Sequence, residues 1–349
     1  MIAHRALTPI QQAQAWITLL RLGPTARGIL PFLLGATIAW SQGSPINIPV
    51  LLISTFAVLC VMEMTFLVNE YVDYGTDMLN TGFHRLSGGS RVLPSGLISK
   101  RATLIAALGF MLIALAAGAV LAFYYHTGIY TIPLGLLAIF IGVFYTAKPF
   151  QFSYKGWGEL AIWFSCGWLA TMSGYYLQTG RFDLMTSLVS LPGGASVFLV
   201  ILINEVPDMV SDSIAGKRNL AVRLREKGVS ILYITVWILC YLNIVINVFF
   251  GVPLYNLLLS LVLVPLIAMT IRSVVRDKLA VHTQEPLSIQ TTLIDHLITI
   301  FYAVTFITAG LLAGRNTASI VALIMLFVVS FGLEALSFIS LKGLKNLLK

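Results

Sequence analysis

Charged residues are scarce in this 349-residue chain, in which Asp, Glu, Lys and Arg together make up only 10%. Soluble domains carry about 25% charged residues, so the scarcity excludes an ordinary soluble protein. Hydrophobic residues make up 58% of the chain and the mean hydropathy is +0.90, as expected of a membrane protein. Cysteine is scarce too. Cys60, Cys166 and Cys240 lie in apolar stretches, and we interpret them as packing residues rather than as disulfides or a metal site.

Long apolar stretches dominate the rest of the sequence. A helix that crosses a membrane needs about 20 mostly apolar residues. Such spans are predicted at 24–42, 48–68, 102–124, 127–147, 157–177, 185–207, 229–250, 253–274, 288–314 and 317–340. An interfacial helix is predicted before them, over 8–22. We therefore predict an all-α integral membrane protein of nine or ten transmembrane helices. The whole chain, 1–349, forms one polytopic domain, since no loop is long enough to fold separately.

The basic residues predict how the chain is oriented. With the N-terminus in the cytoplasm, 20 of the 22 lysines and arginines fall on the cytoplasmic side, and only Arg181 and Arg315 fall outside. This asymmetry follows the positive-inside rule and predicts a multi-pass protein of the inner, cytoplasmic membrane. The net charge of +8 is then explained by topology and by attraction to anionic membrane lipid. No nucleic-acid partner is expected.

Two copies of one polar pattern, N-x-x-x-D-x-x-x-D, follow two of the apolar stretches. They comprise Asn69, Asp73 and Asp77 in the first copy and Asn204, Asp208 and Asp212 in the second. A step of four residues turns an ideal helix by about 400°, so we expect each set to share one helix face. Each motif ends the second helix of a four-helix group, 24–147 or 157–274. This predicts a weak internal duplication, followed by C-terminal helices over 288–340, with both motifs on the cytoplasmic side.

The four aspartates indicate a site for metal and diphosphate. Carboxylates that converge at one cavity mouth repel each other unless a cation lies between them. Mg²⁺ prefers oxygen ligands and typically bridges one or two carboxylates to substrate phosphates. We therefore predict Asp73, Asp77, Asp208 and Asp212 as catalytic, metal-binding residues, with Asn69 as a possible further ligand. The predicted diphosphate-binding residues are Asn69, Arg91, Tyr145, Lys148, Asn204, Lys217 and Arg218.

Each of these predictions has a simpler alternative. The basic residues can serve as membrane anchors under the positive-inside rule. Glu63, two turns before Glu70, can contact an acceptor molecule or lie protonated and hydrogen-bonded inside the bundle. Asp295 and Glu334 lie in later spans, where a site is less expected, and we interpret His296 as a helix histidine with satisfied hydrogen bonds.

These motifs resemble the UbiA superfamily of intramembrane prenyltransferases over residues 20–275. Supporting stretches lie at 88–96, 145–149, 156–160 and 215–224. The stretches 156–160 and 174–180 most resemble the 1,4-dihydroxy-2-naphthoate branch, which makes menaquinone precursors. The resemblance implies a helical bundle, usually of nine spans, around a central cavity open sideways to lipid. It also implies two Mg²⁺ ions at the motifs and transfer of a polyprenyl group from its diphosphate to an aromatic acceptor. In that branch the acceptor ring loses its carboxylate.

The sequence departs from this pattern twice, and other functions stay open. The stretch 317–340 exceeds nine spans, and Asn219 stands where relatives often have Thr. A UbiA-type enzyme with another acceptor is one alternative, for example 4-hydroxybenzoate, homogentisate, a chlorophyllide, a haem or a glycerol lipid. A secondary transporter is the non-enzyme alternative. Transporters usually place polar sites near the membrane midplane, whereas both motifs here lie at one face.

Overall fold

A computed structural model describes residues 8–80 and 89–347 of the chain. Within these ranges every regular element is helical, which confirms the predicted all-α class. Residues 81–88, which include Arg85, lie outside the described residues. In chain order the helices are α1 (Pro9–Leu20), α2 (Ala26–Ser41), α3 (Ile48–Val72), α4 (Tyr74–Leu79), α5 (Lys100–Ala119), α6 (Thr131–Phe144), α7 (Gly158–Ile162), α8 (Ala170–Thr179), α9 (Leu184–Asn204), α10 (Met209–Ile214), α11 (Leu220–Val248), α12 (Tyr255–Ser260), α13 (Leu263–Asp277), α14 (Val281–Leu312) and α15 (Thr317–Leu347).

The ten predicted spans each correspond to a helix or to adjoining helices. Among the described residues, seven segments are long and apolar enough to cross a membrane, and α2 and α6 are shorter apolar helices. A π-helical turn, Trp163–Leu169, joins α7 to α8 and completes the span predicted at 157–177. The predicted interfacial helix is α1, which Thr8 caps by accepting a hydrogen bond from the backbone N–H of Gln11.

Two helices begin earlier in the chain than the sequence predicted. The α11 helix begins at Leu220, well before the predicted 229, and is broken at Arg225, where φ is 56°. The α14 helix begins at Val281 instead of 288 and contains Pro286. In both cases polar residues that were assigned to loops extend the helix beyond its apolar stretch.

Glycines bring α2 and α8 into close contact at the centre of the bundle. A Cβ added at Gly35 would lie 1.8 Å from the Thr171 carbonyl oxygen, and one at Gly174 would lie 1.9 Å from the Phe32 carbonyl oxygen. Small residues allow this approach in membrane proteins, where dispersion rather than the hydrophobic effect drives helix association. The α2 helix is consequently buried on nearly every side.

A cavity of about 320 Å³ lies inside the bundle. One end is lined by Asn69 and Asn204, at the ends of α3 and α9, and the lining continues along α3 to Ser54. The fifteen-residue step from Ser54 to Asn69 corresponds to roughly 22 Å of helix. We call the end with Asn69 and Asn204 the motif end. The cavity therefore begins at the two predicted motifs and extends into the apolar part of the bundle.

The close α2–α8 contact predicts a specific sensitivity to added volume. We expect Gly174→Ala to destabilise the fold by about 1–3 kcal/mol, because its Cβ would overlap backbone atoms that cannot rotate away. Thermal denaturation of the purified protein in detergent measures this. Gly109→Ala is the matched control, since nothing lies within 4 Å of its added Cβ on α5. Equal melting temperatures for the two variants would contradict the assigned packing.

Candidate active site

The first motif lies where α3 ends and α4 begins. Asp73 is the C-terminal cap of α3, with φ −78° and ψ 1°, so the ideal helix from which a shared face was expected is interrupted at this residue. The spacing of the motif is nevertheless kept, because Asp73 N–H donates to the Asn69 carbonyl and Asp77 N–H donates to the Asp73 carbonyl, each at 2.8 Å. Asn69, Asp73 and Asp77 thus remain one turn apart.

The second motif departs further from a helix. The α9 helix ends at Asn204, and Asp208 caps α10 after a turn that contains Pro207. Proline has no N–H to continue the hydrogen-bond ladder. The Asp208 N–H donates instead to the Glu205 carbonyl at 3.1 Å, and the four-residue pattern resumes from Asp208 to Asp212 at 2.8 Å. The expected common helix face is therefore interrupted between Asn204 and Asp208.

Hydrogen bonds bring the two motifs together. The Asn80 amide, just after the first motif, donates to Asp208 Oδ1 at 2.8 Å. The hydroxyl of Tyr154, in a 3₁₀ turn after α6, donates to Asp73 Oδ1 at 2.7 Å. On the second motif, the Asn219 amide donates to Asp212 Oδ2 at 2.8 Å. The structure thus places the four predicted aspartates in one polar cluster at the motif end.

Lys217 supplies positive charge to this cluster. Its Nζ lies 3.4 Å from Asp212 Oδ2 and 5.8 Å from the centre of the Tyr154 ring, and 13% of its side chain is exposed. Burial alone would lower the pKa of Lys217, but Asp73, Asp212 and Glu205 outweigh it and raise that pKa well above its usual range. The predicted cation Lys217 is therefore a charged ammonium held between the motifs.

Burial acts on the aspartates in the opposite sense. It raises the pKa of Asp77 to about 8, with further contributions from Glu70 and Asp73. It also raises the pKa of Asp212 to about 6, against the opposing effect of Lys217. A bound divalent cation would favour the ionised carboxylates. Among the described residues, no three acidic, His or Cys side chains lie close enough to hold an ion alone, so a metal here needs ligands from elsewhere.

The loop before α5 closes over the first motif. Ser90 donates two hydrogen bonds to the Glu70 carboxylate, from N at 2.6 Å and from Oγ at 2.7 Å. Gly89 has φ +70°, and a Cβ there would lie 2.6 Å from Asp77 Oδ2. Only glycine fits this approach without strain. The predicted Arg91 is thereby held beside the motif, where its Nη1 donates to the Asp77 carbonyl.

The other predicted residues divide into two groups. Tyr145, Asn69 and Asn204 line the cavity. Asn69 accepts a hydrogen bond from Thr146, whereas the Asn204 amide oxygen is buried without a partner. Lys148 and Arg218 are exposed, and Arg218 contacts Tyr154 through its backbone N–H. These two cations are not brought into the cluster as their sequence position suggested.

Glu63 does not lie where an acceptor-binding residue is expected. Its side chain is fully buried, both carboxylate oxygens lack a hydrogen-bond partner, and it is not among the residues that line the cavity. The sequence predicted its helix correctly but not its orientation, because Glu63 is on the face of α3 shared with Cys60 and Leu67.

Two residues outside the motifs, Glu159 and Asn219, hold the start of α11 in place. The Glu159 carboxylate accepts a hydrogen bond from the Leu220 N–H at 2.6 Å, and its side chain is fully buried. Asn219 caps α11, since its Oδ1 accepts from the Val222 N–H at 2.9 Å while its amide holds Asp212. Asn219, which stands where relatives often have Thr, is therefore a helix cap that also orients the carboxylate of Asp212.

The double role of Asn219 predicts a loss of stability on truncation. We expect Asn219→Ala to lower the unfolding free energy by about 1 kcal/mol, because α11 loses its side-chain cap. Asn219→Ser keeps a capping oxygen and should recover most of this. Chemical denaturation in detergent, monitored by tryptophan fluorescence, compares the variants. An Asn219→Ala protein as stable as wild type would rule out the cap.

Comparison with known proteins places this arrangement in a family. The sequence profile described as the UbiA prenyltransferase family matches residues 29–285. The 1,4-dihydroxy-2-naphthoate octaprenyltransferase of Escherichia coli is 28% identical over 223 residues, which cover 62% of this chain and 70% of that protein. A UbiA homologue from Aeropyrum pernix has a similar fold, with a TM-score of 0.60 and 15% identity over 80% of this chain and 97% of its own. A UbiA homologue from Archaeoglobus fulgidus bound to GPP and Mg²⁺ has a TM-score of 0.55 and 17% identity over 84% and 99% of the two chains. The chain belongs to the UbiA prenyltransferase family, as its two aspartate motifs predicted.

Proposed function

We propose that this protein transfers a polyprenyl group from its diphosphate to 1,4-dihydroxy-2-naphthoate, a step of menaquinone biosynthesis. The observation that carries the proposal is that the two aspartate motifs meet at one end of an apolar cavity, where Asn80, just after the first motif, donates a hydrogen bond to Asp208 of the second. Similarity to the E. coli 1,4-dihydroxy-2-naphthoate octaprenyltransferase supports the choice of acceptor.

In this proposal the motif carboxylates would hold a pair of Mg²⁺ ions. Asp73 and Asp77 would hold one ion and Asp208 and Asp212 the other, with Asn69 as a possible further ligand. Mg²⁺ usually takes one or two carboxylates and completes its shell with water and substrate phosphate. This agrees with the lack of a three-carboxylate cluster among the described residues. When bound, the ions would neutralise charge on the diphosphate as it leaves.

The chain's own cations and amides complete the diphosphate site. Lys217 lies between the motifs as a buried ammonium, and Arg91 lies beside Asp77. Asn204 offers its amide at the cavity mouth, next to Tyr145. These groups are placed to hold the diphosphate at the motif end while the isoprenoid chain extends into the cavity. Lys148 and Arg218, both exposed, contribute mainly to the positive potential that attracts the substrate.

The apolar cavity is suited to the reaction that follows. The allylic C–O bond breaks and its electron pair leaves with the diphosphate, which Lys217 and Arg91 stabilise electrostatically. The allylic cation that remains would react rapidly with water, and a cavity lined by residues such as Val58, Phe66 and Leu134 excludes it. An electron-rich ring carbon of the acceptor then forms the new C–C bond, and the ring becomes aromatic again by losing its carboxylate as CO₂. We place this site on the cytoplasmic side of the inner membrane, where the basic loops are expected.

A prenyl-transfer assay tests the proposal directly. Purified protein in detergent receives Mg²⁺, a long-chain allylic diphosphate and one acceptor at a time, with an EDTA control. We expect metal-dependent prenylated product with 1,4-dihydroxy-2-naphthoate. Product with only 4-hydroxybenzoate or homogentisate would show that this compound, and not 1,4-dihydroxy-2-naphthoate, is the acceptor. The absence of both product and diphosphate release would contradict the proposed reaction.

A site built from both aspartate motifs predicts that each motif is required for turnover. We expect Asp73→Ala and Asp208→Ala each to reduce kcat by at least about 100-fold, because either change removes a ligand of the cation that would balance the charge of the leaving diphosphate. Expression and melting temperature should stay close to wild type. Glu226→Ala is the control, since Glu226 is exposed on α11. Wild-type rates in either aspartate variant would contradict a site built from both motifs.

A further inference from the structure

The part of the cavity away from the motif end lies between α5 and α6. On the α5 side it is lined by Ala114, Gly118 and Leu121, which follow one another at steps of three or four residues and so share one helix face. Ala114 is only 5% exposed and Leu121 only 3%. This face therefore points into the bundle, and Gly118 points into the bundle with it.

On the α6 side the cavity widens with distance from the motif end. At Gly142 the helices α6 and α3 are in close contact, since an added Cβ would lie 2.2 Å from Thr65 Oγ1. Two turns earlier, on the same face of α6, a Cβ at Gly135 would meet nothing within 4 Å. The same is true of Gly118 on α5. Because both Gly118 and Gly135 line the cavity, they border open space inside it.

Hydrogen bonds fix the end of the cavity beyond these two glycines. Leu121 lies one turn from Gly118, Thr131 lies one turn from Gly135, and both are buried residues of the cavity lining. The hydroxyl of Thr127, in the turn between the two helices, donates to the Leu121 carbonyl at 2.9 Å. The same hydroxyl lies 2.8 Å from that of Thr131. The space beside the glycines is thus bounded by residues that the turn holds in place.

The depth of this space decides which part of a prenyl chain can reach it. Tyr145 lines the cavity at the motif end, and the ten residues from Gly135 to Tyr145 correspond to roughly 15 Å along α6. The seven consecutive C–C bonds of a geranyl chain, about 1.5 Å each, cannot span this length. The fifteen bonds of a geranylgeranyl chain can. With its diphosphate at the motif end, only a long chain therefore brings its distal units beside the glycines.

We propose that Gly118 and Gly135 are specificity-determining residues that let the cavity hold the distal units of a long prenyl chain, one of four isoprene units or more. The inference rests on the proposed prenyl transfer and deepens it by naming the length of the substrate. A larger side chain at either position would occupy the space that these units need, and the packed helices could not move apart without cost. The diphosphate site, about 15 Å away, would be unaffected.

A comparison of two chain lengths tests the proposal. Wild-type protein, Gly118→Leu and Gly135→Leu each receive geranyl or geranylgeranyl diphosphate with the same acceptor, in the same detergent. We expect kcat/KM for the geranylgeranyl substrate to fall by about 10- to 100-fold in each variant, and for the geranyl substrate by less than about twofold. Each value is compared with wild type on the same substrate, so differences in partitioning into the micelle cancel.

Further variants and a second measurement keep the result interpretable. Gly109→Leu is the matched control, because Gly109 is on α5, is not among the residues that line the cavity and has nothing within 4 Å of an added Cβ. It should leave both substrates unaffected. Gly135→Ala adds less volume and should give a smaller loss with the same dependence on length. Calorimetric titration with unreactive geranyl and geranylgeranyl thiodiphosphates should show weaker binding of the longer ligand alone in the two leucine variants.

The outcomes separate this inference from the proposed function. Equal losses with both chain lengths would overturn the role of the glycines, because a side chain there would then act on the fold rather than on the distal units. No loss with either length would overturn it as well, since the chain would then leave the cavity by another route. A wild-type protein that neither binds the thiodiphosphates nor transfers either prenyl group would instead overturn the proposed function, and this inference with it.

Discussion

Burial of carboxylates at the end of an apolar helix bundle is the constraint on which the rest of this structure depends. An ionised carboxylate away from water is strongly destabilising unless hydrogen bonds or cations surround it. The surroundings of the motifs meet this requirement from many parts of the chain. Tyr154, Asn80 and Asn219 each donate to a motif aspartate, and Lys217 lies 3.4 Å from Asp212. The described residues at this end therefore supply the partners that the buried carboxylates need.

The same constraint makes one end of the cavity polar and leaves the rest apolar. The two aspartate motifs lie at one end of the cavity, while Arg27 lies in its wall and donates a hydrogen bond to Thr292 of α14. Mostly apolar side chains line the rest of the cavity, and Gly35 and Gly174 allow α2 and α8 to lie close together. A substrate with a diphosphate at one end and an isoprenoid chain at the other can enter such a cavity in only one favourable orientation.

Local sequence patterns predicted the helices and the motifs, because apolar length and four-residue spacing are properties of neighbouring residues. Pro207 already indicates in the sequence that the second motif is interrupted, but the repeated four-residue spacing favoured one helix face for the whole motif. The partners of the aspartates were harder to predict, since Tyr154 and Asn80 meet their carboxylates across 81 and 128 residues of chain. The orientation of Glu63 and the approach of Arg27 Nε to Asp295 Oδ2, at 3.9 Å, depend on how helices rotate and pack, and single polar residues in apolar spans leave no local pattern that indicates this.

The central claim is that the two motifs bind a diphosphate together through divalent cations. Calorimetric titration of the protein with an unreactive prenyl thiodiphosphate tests it without any acceptor. The account predicts saturable binding in Mg²⁺ and a loss of at least about 100-fold in affinity in EDTA, because uncompensated aspartates repel the ligand. Equal affinity with and without divalent cations would contradict it.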